Sequence, residues 1–249
     1  MRSTIKKSLA GACVLATLLA ASTAHAEQTG GFGDVSVNYL DWNHTPGMSN
    51  GRSNDAYLEL EGGGQYTWGE LYGFTDWNHF NKASDEYGMF AKGQLRYYLG
   101  DERHGAGWNA FFQSKIVADH NFHEFNQVVG VGYNVALNNA SFTPFIGAHY
   151  TNSTYFAGWN GYELGWAAWV PFNLGSQSFA LTNWSEFDFN RKEAYIPQGS
   201  SRQSFYGVLA LWWNVTPHWS VGGQYNYAVN TLGADGLTDA YIATAKYNF

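Results

Sequence analysis

The sequence predicts an all-β protein: a single transmembrane antiparallel β-barrel of twelve strands behind a cleaved leader. Three observations carry this. Reading back from Phe249, every second residue is apolar or aromatic (Tyr247, Ala245, Ala243, Tyr241), while Asn248, Lys246 and Thr244 between them are polar and Ile242 is the one exception. Period-two alternation makes a strand with one apolar and one wet face. Eleven further stretches of similar length precede it, separated by alternately long and short connections, and the chain opens with an export leader. No apolar segment is long enough for a spanning helix, and in lipid only helices and closed barrels satisfy their backbone.

The leader comes first. Arg2, Lys6 and Lys7 precede an apolar run from Leu9 to Ala21, and Ala24-His25-Ala26 supplies a small-x-small cleavage pattern, so residues 1–26 read as a signal peptide and residues 27–249 as the barrel. The apolar run is too short to cross a bilayer. Cys13 is the sole cysteine and leaves with the leader, so the mature chain is expected to have no disulfide and no thiolate metal site.

The strands follow as Phe32–Trp42, Asp55–Gly64, Gly69–Asn78, Gly88–Tyr98, Trp108–Ala118, Asn126–Ala136, Ser141–Thr151, Gly158–Val170, Ser178–Asp188, Gln203–Trp213, His218–Val229 and Thr238–Phe249. Each suits a tilted strand crossing an outer membrane. With both ends periplasmic, the outward connections are 43–54, 79–87, 119–125, 152–157, 189–202 and 230–237, against short inward turns such as Gln65–Trp68, Leu137–Ala140 and Asn214–Pro217. Long outside and short inside is the habit of such barrels. The tryptophans band accordingly: Trp42, Trp77 and Trp159 fall at outer strand ends, and Trp68, Trp108, Trp213 and Trp219 near inner ones, as interfacial girdles require. Trp166, Trp169 and Trp184 are scattered between. No linker or repeat divides the run, so one domain is expected.

Composition excludes several classes. Without the leader's three cations, 10 basic residues face 20 acidic ones, which disfavours nucleic acid as a partner. A mean hydropathy of −0.32 is low for a membrane protein, but a barrel hides its lipid face in alternation. A soluble β-sandwich would share this composition, not these two termini.

Catalysis and metal binding find little support. His218-Trp219-Ser220 matches the His-x-Ser pair of barrel lipid deacylases in letters, but it follows Pro217 at an inward turn, away from the outer leaflet. His149 and Ser153 stand four residues apart on a strand, about 13 Å, beyond hydrogen-bond reach. The stretch from Asp119 to Glu124, with His120 and His123, has no further ligands at fixed spacing. No Gly-rich motif joins a strand to a helix. The expectation is therefore no enzyme, no catalytic residue, no metal and no cofactor.

The segment from Asn54 to Glu61 (Asn-Asp-Ala-Tyr-Leu-Glu-Leu-Glu), followed by Glu70-Leu71-Tyr72-Gly73-Phe74-Thr75-Asp76, resembles the second and third strands of the Tsx-like nucleoside channels, a family that includes outer-membrane protein K. Trp159-Asn160-Gly161-Tyr162-Glu163, with Trp169-Val170-Pro171-Phe172, is similar to that family's eighth strand, and the Tyr247-Asn248-Phe249 ending is similar too, though many barrels share it as an assembly signal. The resemblance covers most of the mature chain. It implies a narrow, substrate-selective pore in the Gram-negative outer membrane for nucleosides or similar small polar solutes. Outer-membrane lipids and the outer-membrane assembly machinery, reached through the C-terminal strand, are the further partners expected, and a monomer is the expected state.

Alternation says which residues would line such a pore. If Leu58 and Leu60 meet lipid, Tyr57, Glu59 and Glu61 face inward; if Leu71, Gly73 and Thr75 face out, Glu70, Tyr72, Phe74 and Asp76 face in. Rings can stack on a flat base, and carboxylates can accept hydrogen bonds from ribose hydroxyls. Arg96, Lys92 and Lys115 are the expected basic counterparts. The substrate-binding, pore-lining set is thus Tyr57, Glu59, Glu61, Tyr72, Phe74, Asp76 and Arg96. The same face would also serve a closed, structural or receptor-like barrel braced by ion pairs, and at the level of sequence both readings stay open.

Overall fold

A computed structural model describes residues 27–43, 54–80, 88–100, 106–197, 200–232 and 235–249. The expected leader, 1–26, lies outside the described residues. Twelve strands close into one antiparallel barrel: β1 (Gln28–Trp42), β2 (Asp55–Tyr66), β3 (Gly69–Asn78), β4 (Gly88–Tyr98), β5 (Gly107–Ala118), β6 (His123–Ala136), β7 (Ser141–Ser153), β8 (Ala157–Leu174), β9 (Gln177–Phe189), β10 (Ser204–Asn214), β11 (Trp219–Val229) and β12 (Leu237–Asn248). Each strand pairs with its sequence neighbours, and β12 returns to β1. Such closure leaves no unpaired edge. Among the described residues no helix is long and apolar enough to cross a membrane.

The twelve stretches read from alternation fall on the twelve strands, and β3 and β4 keep the same bounds. The largest departure is β8, which runs on to Leu174 in a long hairpin with β9 through Pro171, Phe172 and Asn173. The sequence reading ended this strand at Val170; Pro171 continues it, its lack of an N–H being tolerable at the end of a hairpin. Gly175, at φ 62°, makes the turn, a conformation that favours glycine.

Outward positions carry Val35, Val37, Leu60, Trp77, Trp108, Val129, Ile146, Leu164, Leu209, Leu211, Val221 and Tyr241, all well exposed, as a lipid-facing belt requires. Trp77 and Trp159 point outward at one end, and Trp108, Trp213 and Trp219 at the other. Trp42 departs from the expected girdle. It shares the inward parity of Asp34, Ser36 and Asn38 and is only 7% exposed. Its position along the strand suits a girdle, but its face does not.

Candidate functional site

The interior is built from alternate residues of all twelve strands, and it is polar. Asp34, Asn38, Lys92, Asn109, Gln113, Glu163 and Glu186 are buried inside the barrel. Buried charges require partners, and these find them across the lumen rather than along the chain.

The densest layer joins β4 and β5 to β8 and β9. Lys92 Nζ donates to Glu186 Oε1 at 2.5 Å. Lys115 Nζ reaches Glu163 Oε2 at 2.7 Å and Glu186 Oε2 at 2.8 Å. Gln113 Nε2 donates to Glu163 Oε1 and Glu186 Oε1 at 2.7 and 2.9 Å. Two ammoniums thus face two carboxylates in a closed bracket. Beside it, His149 Nδ1 lies 3.2 Å from Asp188 Oδ1, while Asn126 Oδ1 sits 2.9 Å from His149 Nε2 and accepts from Thr151 Oγ1 at 2.7 Å.

Below this bracket, Arg96 lies against the rings of Phe111 and Phe145, 4.8 and 5.9 Å from their centroids, and donates to the Thr143 carbonyl at 2.9 Å. Phe111 and Phe145 themselves stack at 3.9 Å. Gly132 makes room for this arrangement, because a Cβ there would stand 2.6 Å from Arg96 Nη1.

The second layer belongs to β1, β2, β3 and β12. Lys246 Nζ bonds Glu61 Oε2 at 2.9 Å and lies 3.3 Å from Asp34 Oδ2. Tyr72 donates its hydroxyl to Glu61 Oε1 at 2.7 Å, and Ser36 Oγ donates to Glu59 Oε1 at 3.4 Å. Glu59 and Asp76 stand directly opposite each other on β2 and β3.

An aromatic ladder climbs the wall beside these acids. Phe32 is 6.4 Å from Tyr72, Tyr72 is 6.2 Å from Phe74, and Phe74 is 5.4 Å from Phe90. Phe32, 56% exposed, lies near the end carrying the termini. The β9–β10 wall carries its own rings. Lys92 Nζ sits 4.2 Å over Trp184, which packs edge-on to Tyr206 at 5.2 Å. Lys246 Nζ sits 4.4 Å over Trp212.

All seven residues picked from the sequence therefore belong to the interior, but in two groups. Tyr57, Glu59, Glu61, Tyr72, Phe74 and Asp76 share the β2–β3 wall, while Arg96 is held apart on the Phe111–Phe145 stack. The expected basic counterparts are redistributed. Lys92 and Lys115 serve Glu186 and Glu163, and Glu61 takes Lys246. Glu70 is bonded by Tyr98 Oη and Asn134 Nδ2 at 2.7 and 2.6 Å instead. The sequence reading missed Phe32, Phe90, Trp184, Tyr206, Trp212, Glu186 and Lys246 as members of the interior. Strand parity, extended beyond β2 and β3, would have found them.

Two groups have metal-ligand atoms gathered within 4.8 Å of one another, His149 with Glu163 and Asp188, and Asp34 with Glu59 and Glu61. Lysines already occupy them: Lys115 bonds Glu163, and Lys246 bonds Glu61. The stretch from Asp119 to Glu124 contributes to neither group.

Both ends of the lumen are shaped. At the end with the termini, a cavity of about 610 Å³ is lined by Gln65, Asn138, Asn139, Trp169, Pro171 and Asn173, among others. At the far end, the connection after β9 folds inward. Tyr195 donates to Glu124 Oε2 at 3.0 Å and packs edge-on against Phe156 at 5.5 Å. Burial, reinforced by the Glu124 carboxylate, holds the Tyr195 hydroxyl above its ordinary range, so it remains a donor at neutral pH.

A closed twelve-stranded barrel with a polar, ring-lined interior is the architecture of an outer-membrane channel, and residues 37–249 match the family described as nucleoside-specific channel-forming protein, Tsx. The chain belongs to that family. The channel also resembles the crystal structure of the NanC porin, with TM-score 0.51 at 14% identity over 87% of this chain and 98% of that one. At that identity the likeness bears on the fold alone. The outer-membrane channel DcaP of Acinetobacter baumannii matches at TM-score 0.40 and 12% identity, over 92% of this chain and 99% of that one. The protein is accordingly an outer-membrane channel for small solutes, from a family of channels rather than of enzymes.

Proposed function

We propose that the channel carries nucleosides, or polar solutes of the same shape, by passive diffusion along the β1–β4 wall. The observation that supports this best is the ladder Phe32–Tyr72–Phe74–Phe90 beside the carboxylates of Glu59, Glu61 and Asp76. A flat base can step from ring to ring while its ribose hydroxyls donate to the acids. Such contacts are individually weak, and conduction requires binding at several sites that each release easily. Tyr57 completes this wall. Arg96, on β4 directly beside β3, acts at the edge of this wall as a fixed positive charge. Lys92, the cross-strand neighbour of Phe74, ties this wall to β9 through Glu186 and so bounds the path on that flank.

In this reading residues 1–26 are removed on export, residues 27–249 form the channel, the chain works as a monomer without a cofactor, and Phe249 presents the last strand to the assembly machinery. The test is uptake into liposomes holding the purified protein, comparing a nucleoside with a sugar of similar size. The nucleoside should enter faster, and Tyr72→Ala or Phe74→Ala in a folded barrel should remove that preference. Equal rates would reduce the protein to a general pore. No flux at all would favour a closed barrel braced by its ion pairs.

A further inference from the structure

The mouth opposite the termini carries a groove on its outer rim that the solute path does not use. It holds about 420 Å³ and is lined by Phe156, Trp159, Lys192, Glu193, Ala194 and Arg202. Its parts come from Phe156 before β8, from Trp159 near the start of β8 and from the connection between β9 and β10.

The groove is two-sided in character. Trp159 forms its lipid side, pointing outward with 60% exposure and packing edge-on to Tyr150 at 5.6 Å. Lys192 and Arg202 form its wet side, both exposed. Arg202 is fixed in place, donating from Nε to the Arg191 carbonyl at 2.8 Å and from Nη2 to Asn190 Oδ1 at 2.7 Å. Its Nη1 is in no hydrogen bond among the described residues. The backbone of Lys192 is pinned too, its N–H donating to Asn160 Oδ1 at 3.0 Å. Glu193 lines the same groove, yet among the described residues no carboxylate comes within 4.0 Å of either cation.

A held Arg202 guanidinium and an exposed Lys192, neither paired with the Glu193 of the same groove, lie beside an outward tryptophan and fit a ligand with a phosphate head and an apolar body. Guanidinium and ammonium groups are the usual phosphate binders, and indole rings settle at headgroup level. The groove lies at the long-connection end of the barrel, which faces the outer leaflet. We propose that it binds the phosphorylated glycolipid of that leaflet, with its phosphate between Lys192 and Arg202 and its acyl region against Trp159 and Tyr150. The bound lipid would hold the inward-folded connection after β9 at the rim without entering the lumen.

The test uses the full barrel in detergent, with purified lipid A carrying its phosphates as the probe and native mass spectrometry as the readout. Lipid A should bind, and the enzymatically dephosphorylated form should bind about tenfold more weakly or less. Lys192→Ala should weaken binding about tenfold and Lys192→Arg should restore it, with solute conductance unchanged because Lys192 lies outside the conducting wall. Trp159→Ala should weaken binding of both lipid forms alike. Equal affinity for the two forms, or an affinity indifferent to Lys192→Ala in a barrel of normal heat-modifiability, overturns the proposal. Displacement of lipid A by inorganic phosphate at equal concentration overturns it as well, since the acyl contacts would then add nothing.

Discussion

Removing the ammonium of Lys115 tests whether the charged bracket is a stabilising unit. Among the described residues Lys115 is the one cation that touches both Glu163 and Glu186, at 2.7 and 2.8 Å. In Lys115→Met, Glu163 keeps only the Gln113 amide, and Lys92 alone faces two buried carboxylates. A charge pair at about 4 Å contributes roughly 4 kcal/mol at an effective dielectric of about 20, and stripping one partner from a buried pair costs about 3–5 kcal/mol. Unfolding in urea, followed by tryptophan fluorescence and by heat-modifiable migration on gels, should show a loss in that range. Adding Glu163→Gln to Lys115→Met returns the layer to one lysine and one glutamate, the Lys92–Glu186 pair at 2.5 Å. The double variant should therefore recover at least half of the loss. Strict additivity of the two single changes, or a cost below about 1 kcal/mol for Lys115→Met, would show that the bracket is hydrated and energetically idle, and the reasoning would fail.

Three further outcomes are expected. Leu209→Arg, on the lipid face of β10, should destabilise the barrel by about 2–4 kcal/mol in bilayers and far less in a detergent that hydrates the belt, as parallel urea titrations would show. Deleting Phe249, whose N–H donates to the Gly33 carbonyl at 2.9 Å, should leave secreted but poorly inserted protein, and a normal protease-resistant barrel in the outer membrane would contradict this. Tyr195→Phe removes the bond to Glu124 and should free the far mouth, so the mean single-channel conductance should rise, while unchanged conductance and gating would show that Tyr195 does not limit the path.

What the sequence disclosed and what it withheld divide along a physical line. Alternation is local, so the inward face of Tyr57, Glu59 and Glu61, and of Tyr72, Phe74 and Asp76, could be read residue by residue. Trp42 shows the same rule neglected: its parity with Asn38 places it inside, though its place at a strand end suggested the girdle. Pairing across the lumen is not local. Lys92 and Glu186 are 94 positions apart, and which strands face each other depends on tilt and stagger around the closed sheet, which no single strand encodes. That is why Lys246 was not among the expected basic counterparts although it is the partner of Glu61, and why the seat of Arg96 on Phe111 and Phe145 was not legible.

The seam between the first and last strands has a consequence for how the chain reaches this state. Thr244 Oγ1 bonds Asn38 Oδ1 across 206 positions at 2.6 Å, and Lys246 ties β12 to Asp34 on β1 and to Glu61 on β2. These side chains rivet two ribbon edges that meet only when all twelve strands have arrived. Until then β1 and β12 each present an open row of amides and carbonyls, a template for stray pairing. Loop-closure entropy places contacts of such separation among the last to form. Lys246 then seats among acids that β1 and β2 have held ready, so the zip-up of the cylinder and the neutralisation of its acidic wall become a single cooperative event.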